Sequence, residues 1–162
     1  MKTFEISTKQ YINKPLEVVF EFFSKPENLE MITPASLSFN ILTPTPIKMG
    51  KGSLIDYTIR LFGIPIHWRT LISDYEPPFR FVDQQIKGPY TFWHHTHTFQ
   101  SVDGGVEIID KVIYSLPMGW LGTLAHSIWV RKDLEKIFDY RKNVIQNYFG
   151  IIKISTERMA QS

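Results

Sequence analysis

Two histidines two residues apart, with an aspartate and a tyrosine on the next run of chain, are the residues here best suited to chemistry. They stand in Trp93-x-His95-x-His97-x-Phe99 and Ile108-x-Asp110-x-Val112-x-Tyr114, joined through Asp103-Gly104-Gly105. That turn supplies the positive φ a tight hairpin needs. Side chains alternate along a strand, so each quoted set shares one face of its strand. Glu107 and Lys111 mark the opposite face as the wet one. The histidines, Asp110 and Tyr114 are therefore expected to turn inward among aromatics, a mixture typical of a ligand pocket. Three roles are open to His95, His97 and Asp110. They can form a structural network in which the carboxylate accepts from a ring N–H. They can orient carbonyl or hydroxyl groups of a bound ligand. Two histidines and a carboxylate can also hold a metal, but the sequence places no further ligand, and no metal is expected. As an enzyme, the same set could move protons in an aldol-type cyclisation or dehydration, with a histidine tuned near neutrality by Asp110.

Other chemistries are excluded or unsupported. The chain has no cysteine, so disulfides, cysteine–zinc sites and thiol catalysis are ruled out. It has no serine nucleophile elbow, phosphate-cradling glycine loop or HExxH motif, and no cofactor is expected. The net charge of +2 comes without a basic run, which argues against nucleic acid. A hydrophobic fraction of 43% and a charged fraction of 21% suit an ordinary globular chain, and 162 residues suit one domain with a core or cavity. The start, Met1-Lys2-Thr3-Phe4-Glu5-Ile6, lacks the apolar stretch of a signal peptide, and a cytoplasmic home is the expectation.

The elements that must position the histidines follow from periodicity. Residues 3–12 alternate as a strand. Asn13 and Pro15 read as a helix start, with Val18, Val19, Phe22 and Phe23 as its stripe. Ser24 to Glu27 has capping-box spacing for a second short helix, ended before Pro34. Strands are then expected at 37–42, 54–61, 66–75 and 79–86, followed by the histidine hairpin. With only short turns between residues 52 and 116, these neighbours must be antiparallel. From Thr123 to Phe149 a helical stripe of Val130, Leu134, Ile137, Phe138, Ile145 and Tyr148 returns. That helix is about 40 Å long, enough to cross the concave face of a curled sheet, with Gly150 as its stop. One domain is expected over 1–152, with a frayed tail at 153–162.

This order of elements resembles the START-like superfamily, also called SRPBCC or Bet v 1-like, and within it the cyclase/dehydrase-type members. The residues that carry the resemblance are Tyr57, Gly63-Ile64-Pro65, Pro77-Pro78 with Phe81 and Asp83, Gly88-Pro89, and the Trp93 to Phe99 pattern. They continue with Asp110-x-Val112-x-Tyr114-x-x-Pro117-x-Gly119, then Arg131, Leu134, Ile137-Phe138 and Arg141. The resemblance implies an α+β helix-grip fold, with about seven antiparallel strands wrapped on a long C-terminal helix. It also implies a cavity for a hydrophobic ligand such as a lipid, quinone, isoprenoid or polyketide-like molecule. The implied alternative is a cyclase or dehydratase acting in that cavity.

Tyr57, Arg69, Asp83, Gln85, Trp93, His95, His97, Asp110 and Tyr114 are the expected ligand contacts. In a meander alternate turns lie at one end, so Phe62 and Ile64 should stand beside Met118 and Trp120. Gate and latch loops of related hormone receptors occupy similar positions, and these four residues are expected to frame a cavity mouth. The competing expectation is that they pack on one another or on a second subunit, and a transient membrane or protein contact through them is also open. His67 and His126 are expected to be isolated surface residues. Arg131 and Arg141 are expected to anchor the last helix through salt bridges.

Overall fold

The computed structural model describes residues 1–160, with side chains as far as residue 150. The alternating segments form seven strands: β1 (Phe4–Ile12), β2 (Asn40–Ile41), β3 (Leu54–Leu61), β4 (Ile64–Glu76), β5 (Arg80–Lys87), β6 (Phe92–Val102) and β7 (Gly105–Ser115). They make one sheet in the order β1-β7-β6-β5-β4-β3-β2, antiparallel throughout. Strand β1 pairs with β7, so the chain's first strand closes against its last. Register shifts in β4, at Arg69/Thr70 and Ile72/Asp74, interrupt its ladder with β5; such irregularities bend and twist a strand.

Between β1 and β2 lie helices α1 (Leu16–Phe23) and α2 (Leu29–Ile32). After β7 come α3 (Gly119–Ala125), a π-helical turn at His126–Val130, and α4 (Arg131–Ala160). Helix α4 buries Leu134, Phe138, Ile145 and Phe149 at helical spacing. It grips the sheet at two apolar clusters. One joins Ile145 and Phe149 to Phe20, Phe22, Phe81, Phe99 and Ile108, and the other joins Leu134 and Phe138 to Trp68, Trp93, Val112 and Tyr114. No helix among the described residues is long and apolar enough to cross a membrane.

The structure differs from the sequence reading at several local points. Helix α1 is capped by Pro15 in extended conformation, without a side-chain bond from Asn13. The expected capping box is not made, because Ser24 Oγ donates to Glu21 O and Glu27 Oε1 accepts from the Ile47 N–H. Strand β2 has only two residues. A 3₁₀ turn at Ala35–Leu37 and a left-handed Ser38 take up the residues before it. The last helix does not stop at Gly150, since its backbone is helical to Ala160. The expected tail at 153–162 falls on side chains, and on two final residues, that lie outside the described residues.

Candidate functional site

Inward-facing residues of β3 to β6, together with α2 and α4, enclose a cavity of about 200 Å³. Its apolar wall includes Phe39, Ile55, Tyr57, Trp68, Tyr90 and Trp93. Its polar wall is Asp83, His95, His97 and Arg141. Strand pairing builds this second wall. Asp83 stands opposite His95 across the β5–β6 ladder, and His97 stands opposite Asp110 across the β6–β7 ladder. Helix α4 then lowers Arg141 onto the group, with its Nη2 4.0 Å from Asp110 Oδ2 and its guanidinium over the Phe23 ring.

The four sheet residues close into a ring. His97 Nε2 lies 2.6 Å from Asp83 Oδ2, and His95 Nε2 lies 3.2 Å from Asp110 Oδ1, both with hydrogen-bond geometry. His97 Nδ1 approaches Asp110 Oδ1 to 2.8 Å without hydrogen-bond alignment, so that contact is a charge contact. His95 Nδ1 is 3.5 Å from Asp83. Phe81 stacks on His97 at 4.1 Å between ring centres and Phe138 meets the His95 ring edge-on, so water is largely displaced. Within 3.7 Å of one another, the two imidazoles diverge in proton affinity. Burial lowers that of His97, but the bond and charge of Asp110, with those of Asp83, outweigh it and raise the net value. Burial and the neighbouring His97 charge lower His95, more than both carboxylates restore. Burial alone would raise both aspartates. Instead the histidines and Arg141 hold Asp83 below the ordinary carboxylate range and Asp110 well below it. Two carboxylates thus face two imidazoles and one guanidinium in a dry setting, and His97 is the ring that holds a proton more readily, as buried charges require oppositely charged partners.

Of the nine expected ligand contacts, the structure brings Tyr57, Asp83, Trp93, His95 and His97 to the cavity. The other four are placed elsewhere. Arg69 points to the outer face, where it shares Asp56 with His67 at 2.8 and 2.6 Å. Gln85 is held by the following turn through bonds to Tyr90 O and N. Asp110 sits behind the histidines, outside the lining. Tyr114 is fully buried and bonds His126 at 2.8 Å. Two expectations about isolated histidines are corrected. His126 is buried, stacked on Phe4 at 3.5 Å, and His67 is a partner of Asp56. Of the two arginines expected to anchor the last helix, Arg141 reaches Asp110 of the sheet, whereas Arg131 pairs with Glu135 within its own helix.

Trp68 and Thr70 were missed as lining residues. Period two from Ile72 back through Thr70 and Trp68 would have found them, and the same count turns Arg69 outward. The four expected mouth residues do not line the cavity, although their neighbour Leu61 does. All are exposed, Phe62 at 96% and Trp120 at 75%. Phe62 and Met118 adopt positive φ in their turns, at 51° and 71°.

No protein-family model matches the sequence, and no curated protein matches it significantly. Solved structures match along almost the whole chain. Major latex-like protein 151 from Panax ginseng aligns with TM-score 0.66 at 12% identity, covering 91% of this chain and 97% of that one. Protein TTHA0849 from Thermus thermophilus aligns with TM-score 0.66 at 16% identity, covering 93% and 98%. Protein Ms6760 from Mycobacterium smegmatis gives 0.64 at 13%, covering 91% and 92%. This chain has the Bet v 1-like helix-grip fold. In helix-grip terms, the cavity lies between the grip helix α4 and the inner face of the sheet, with its polar wall at mid-sheet.

Proposed function

We propose that this protein binds a compact hydrophobic ligand bearing at least one oxygen acceptor, held between α4 and the sheet. The observation that carries the reading is a cavity that is aromatic and apolar on one side and polar at Asp83, His95, His97 and Arg141 on the other. Two cavity-lining donors, Trp68 Nε1 and Arg141 Nε, are buried without a partner among the described residues. Buried donors are nearly always satisfied, and a carbonyl or carboxylate oxygen of a ligand would satisfy them. At roughly 30 Å³ per water-sized portion, a cavity of about 200 Å³ takes on the order of ten non-hydrogen atoms. A monocyclic quinone or short isoprenoid fits this space. The exposed tips at Phe62, Ile64, Met118 and Trp120 offer a contact surface for the membrane or protein from which such a ligand is collected.

The test is displacement of a hydrophobic fluorescent dye, combined with native mass spectrometry of protein purified from its own host. Ile72 lines the cavity and is 2% exposed. Ile72→Phe should fill part of the space and weaken dye binding about tenfold or more, with an overpacking cost of about 1–3 kcal/mol. Equal dye binding by the folded variant, with no co-purified ligand in the parent, would sink the reading.

A second reading, a cyclase or dehydratase, draws on the paired imidazoles of opposite tendency, His97 raised and His95 lowered. Together they would provide an acid and a base on one wall of the cavity. In that case His95→Gln and His97→Gln lose turnover about 100-fold or more while dye binding persists. Turnover surviving in both variants removes this reading and leaves the binding function standing.

A further inference from the structure

The two sides of the histidine pair have different partners. Toward the cavity, His95 Nδ1 and His97 Nε2 both face Asp83 Oδ2, at 3.5 and 2.6 Å. On the other side, His95 Nε2 and His97 Nδ1 both face Asp110 Oδ1, at 3.2 and 2.8 Å. Asp83, His95 and His97 line the cavity, and Asp110 does not. One donor atom from each of Asp83, His95 and His97 lies within 4.8 Å of the other two. We propose that Asp83, His95 and His97 bind a divalent first-row transition-metal ion, with Asp110 as the carboxylate that orients both imidazoles.

The donor set decides the class of ion. Two imidazole nitrogens and one carboxylate suit zinc, iron, cobalt or nickel rather than calcium or magnesium, which prefer all-oxygen shells. The outer carboxylate strengthens the case. A ligating histidine almost always donates its second ring N–H to a carboxylate, a carbonyl or water, which fixes its tautomer. Here Asp110 Oδ1 takes a hydrogen bond from His95 Nε2 and stands 2.8 Å from His97 Nδ1 as a charge contact, which leaves Nδ1 of His95 and Nε2 of His97 on the cavity side for the metal.

The rearrangement needed is small. Donors about 2.0–2.1 Å from a tetrahedral ion stand roughly 3.3 Å apart. The Asp83–His97 contact of 2.6 Å therefore opens by about 0.7 Å, and a pair at the 4.8 Å limit closes by about 1.5 Å. Asp83 and His95 are opposed in the ladder, so their side chains already stand side by side on the same face of neighbouring strands. Arg141 makes its ion pair with Asp110, at 4.0 Å, while Asp83 is the carboxylate that faces the cavity-side nitrogens of both rings. Three protein donors leave one position open. The ligating residues line the cavity, so that position takes a water or an oxygen of the bound molecule, and it favours an enolate, phenolate or carboxylate.

Metal binding does not depend on the apolar-ligand reading, and the experiment keeps them apart. Chelator-treated protein is titrated with Co²⁺ while its visible ligand-field bands are followed. One equivalent should bind and be displaced by Zn²⁺. Asp83→Ala, His95→Gln and His97→Gln should each lose about 100-fold in affinity or more. Asp110→Asn should lose about 10–100-fold while keeping the bands, and His67→Gln should change nothing. Because these variants alter a buried cluster, the unaltered protein is also followed by imidazole ¹⁵N NMR during Zn²⁺ addition. The ring signals of His95 and His97 should shift together. The proposal is overturned by no binding at millimolar cobalt, or by shifts confined to His67 or His94. Metal binding without dye binding would sustain it and sink the proposed function, and the reverse result would sink the metal site alone.

Discussion

Replacing Asp110 with alanine destabilises the metal-free protein by about 3–5 kcal/mol near neutral pH, the range for breaking a buried ion pair by removing one partner. Asp110 is the only carboxylate that meets His95, His97 and Arg141 together among the described residues. Without it the Arg141 guanidinium, which cannot shed its proton, loses its carboxylate in a largely buried setting. His95 also loses its hydrogen bond. His97 retains Asp83 and can deprotonate, which caps the damage. Loss of less than about 1 kcal/mol would mean that the ring is not a structural charge network.

The same variant predicts a pH dependence. His97 has a raised proton affinity in the folded state, with Asp110 the main partner opposing burial. The stability it contributes is full below the unfolded histidine value of about 6.5 and is lost as pH rises through the raised folded value. Removing Asp110 removes most of that contribution. The difference in urea midpoint between parent and variant should therefore be larger at pH 6 than at pH 9. At pH 6 Asp110 itself is still ionised, because its carboxyl is held well below the ordinary range. At pH 9 the remaining gap reflects Arg141 and the lost His95 hydrogen bond. Equal gaps at both values would show that His97 is not the charged partner.

The second large effect lies in the aromatic core beside the ring. Phe99→Ala should cost about 3–5 kcal/mol, the usual loss for a buried phenylalanine truncated to alanine. Phe99 is 1% exposed and meets Phe20 edge-on at 5.2 Å, Phe23 at 5.2 Å and Phe81 at 6.0 Å between ring centres. It joins α1 to β5 and β6, the strands that carry Asp83 and His97. Phe81, which Phe99 supports, also covers the His97 ring. Water reaching that ring after truncation would weaken the charge network as well as the core. Phe62→Ala provides the contrast, since that ring is exposed and should change stability by no more than about 0.5 kcal/mol. Similar losses for the two variants, read by urea unfolding, would contradict this assignment of core and tip.

Much of the architecture is local information. Alternation in residues 92–115, the Asp103-Gly104-Gly105 turn and the short connections after residue 52 dictate an antiparallel meander, because tight turns permit no other pairing. The stripe from Val130 to Tyr148 dictates an amphipathic helix with only the sheet to cover. The same alternation places His95 and His97 on one face with Trp93 and Phe99, as the structure has them. Alternation sorts side chains into two faces but does not say which partner stands opposite. Pairing Asp83 with His95 and Asp110 with His97 depends on register across two ladders, and register is set by turn geometry and the packed face together.

Helix faces and long-range contacts were decided by tertiary structure alone. Arg141 reaches Asp110 only because α4 lies along the concave face at one particular height and rotation. His126 looks solitary in the sequence, yet the π turn that contains it sits where Tyr114 supplies a hydroxyl and Phe4 a ring. The polar cluster came into being the same way. Asp83 on β5 and Arg141 on α4 join the hairpin's His95, His97 and Asp110 there, and no sequence spacing connects those two to the rest. The sequence by itself determined the strands, the grip helix and the two inward histidines, because those follow from periods of two and 3.6. Only the tertiary structure decided that these histidines sit between two carboxylates beneath an arginine, because a charge network is fixed by distances through space, which a one-dimensional pattern does not contain.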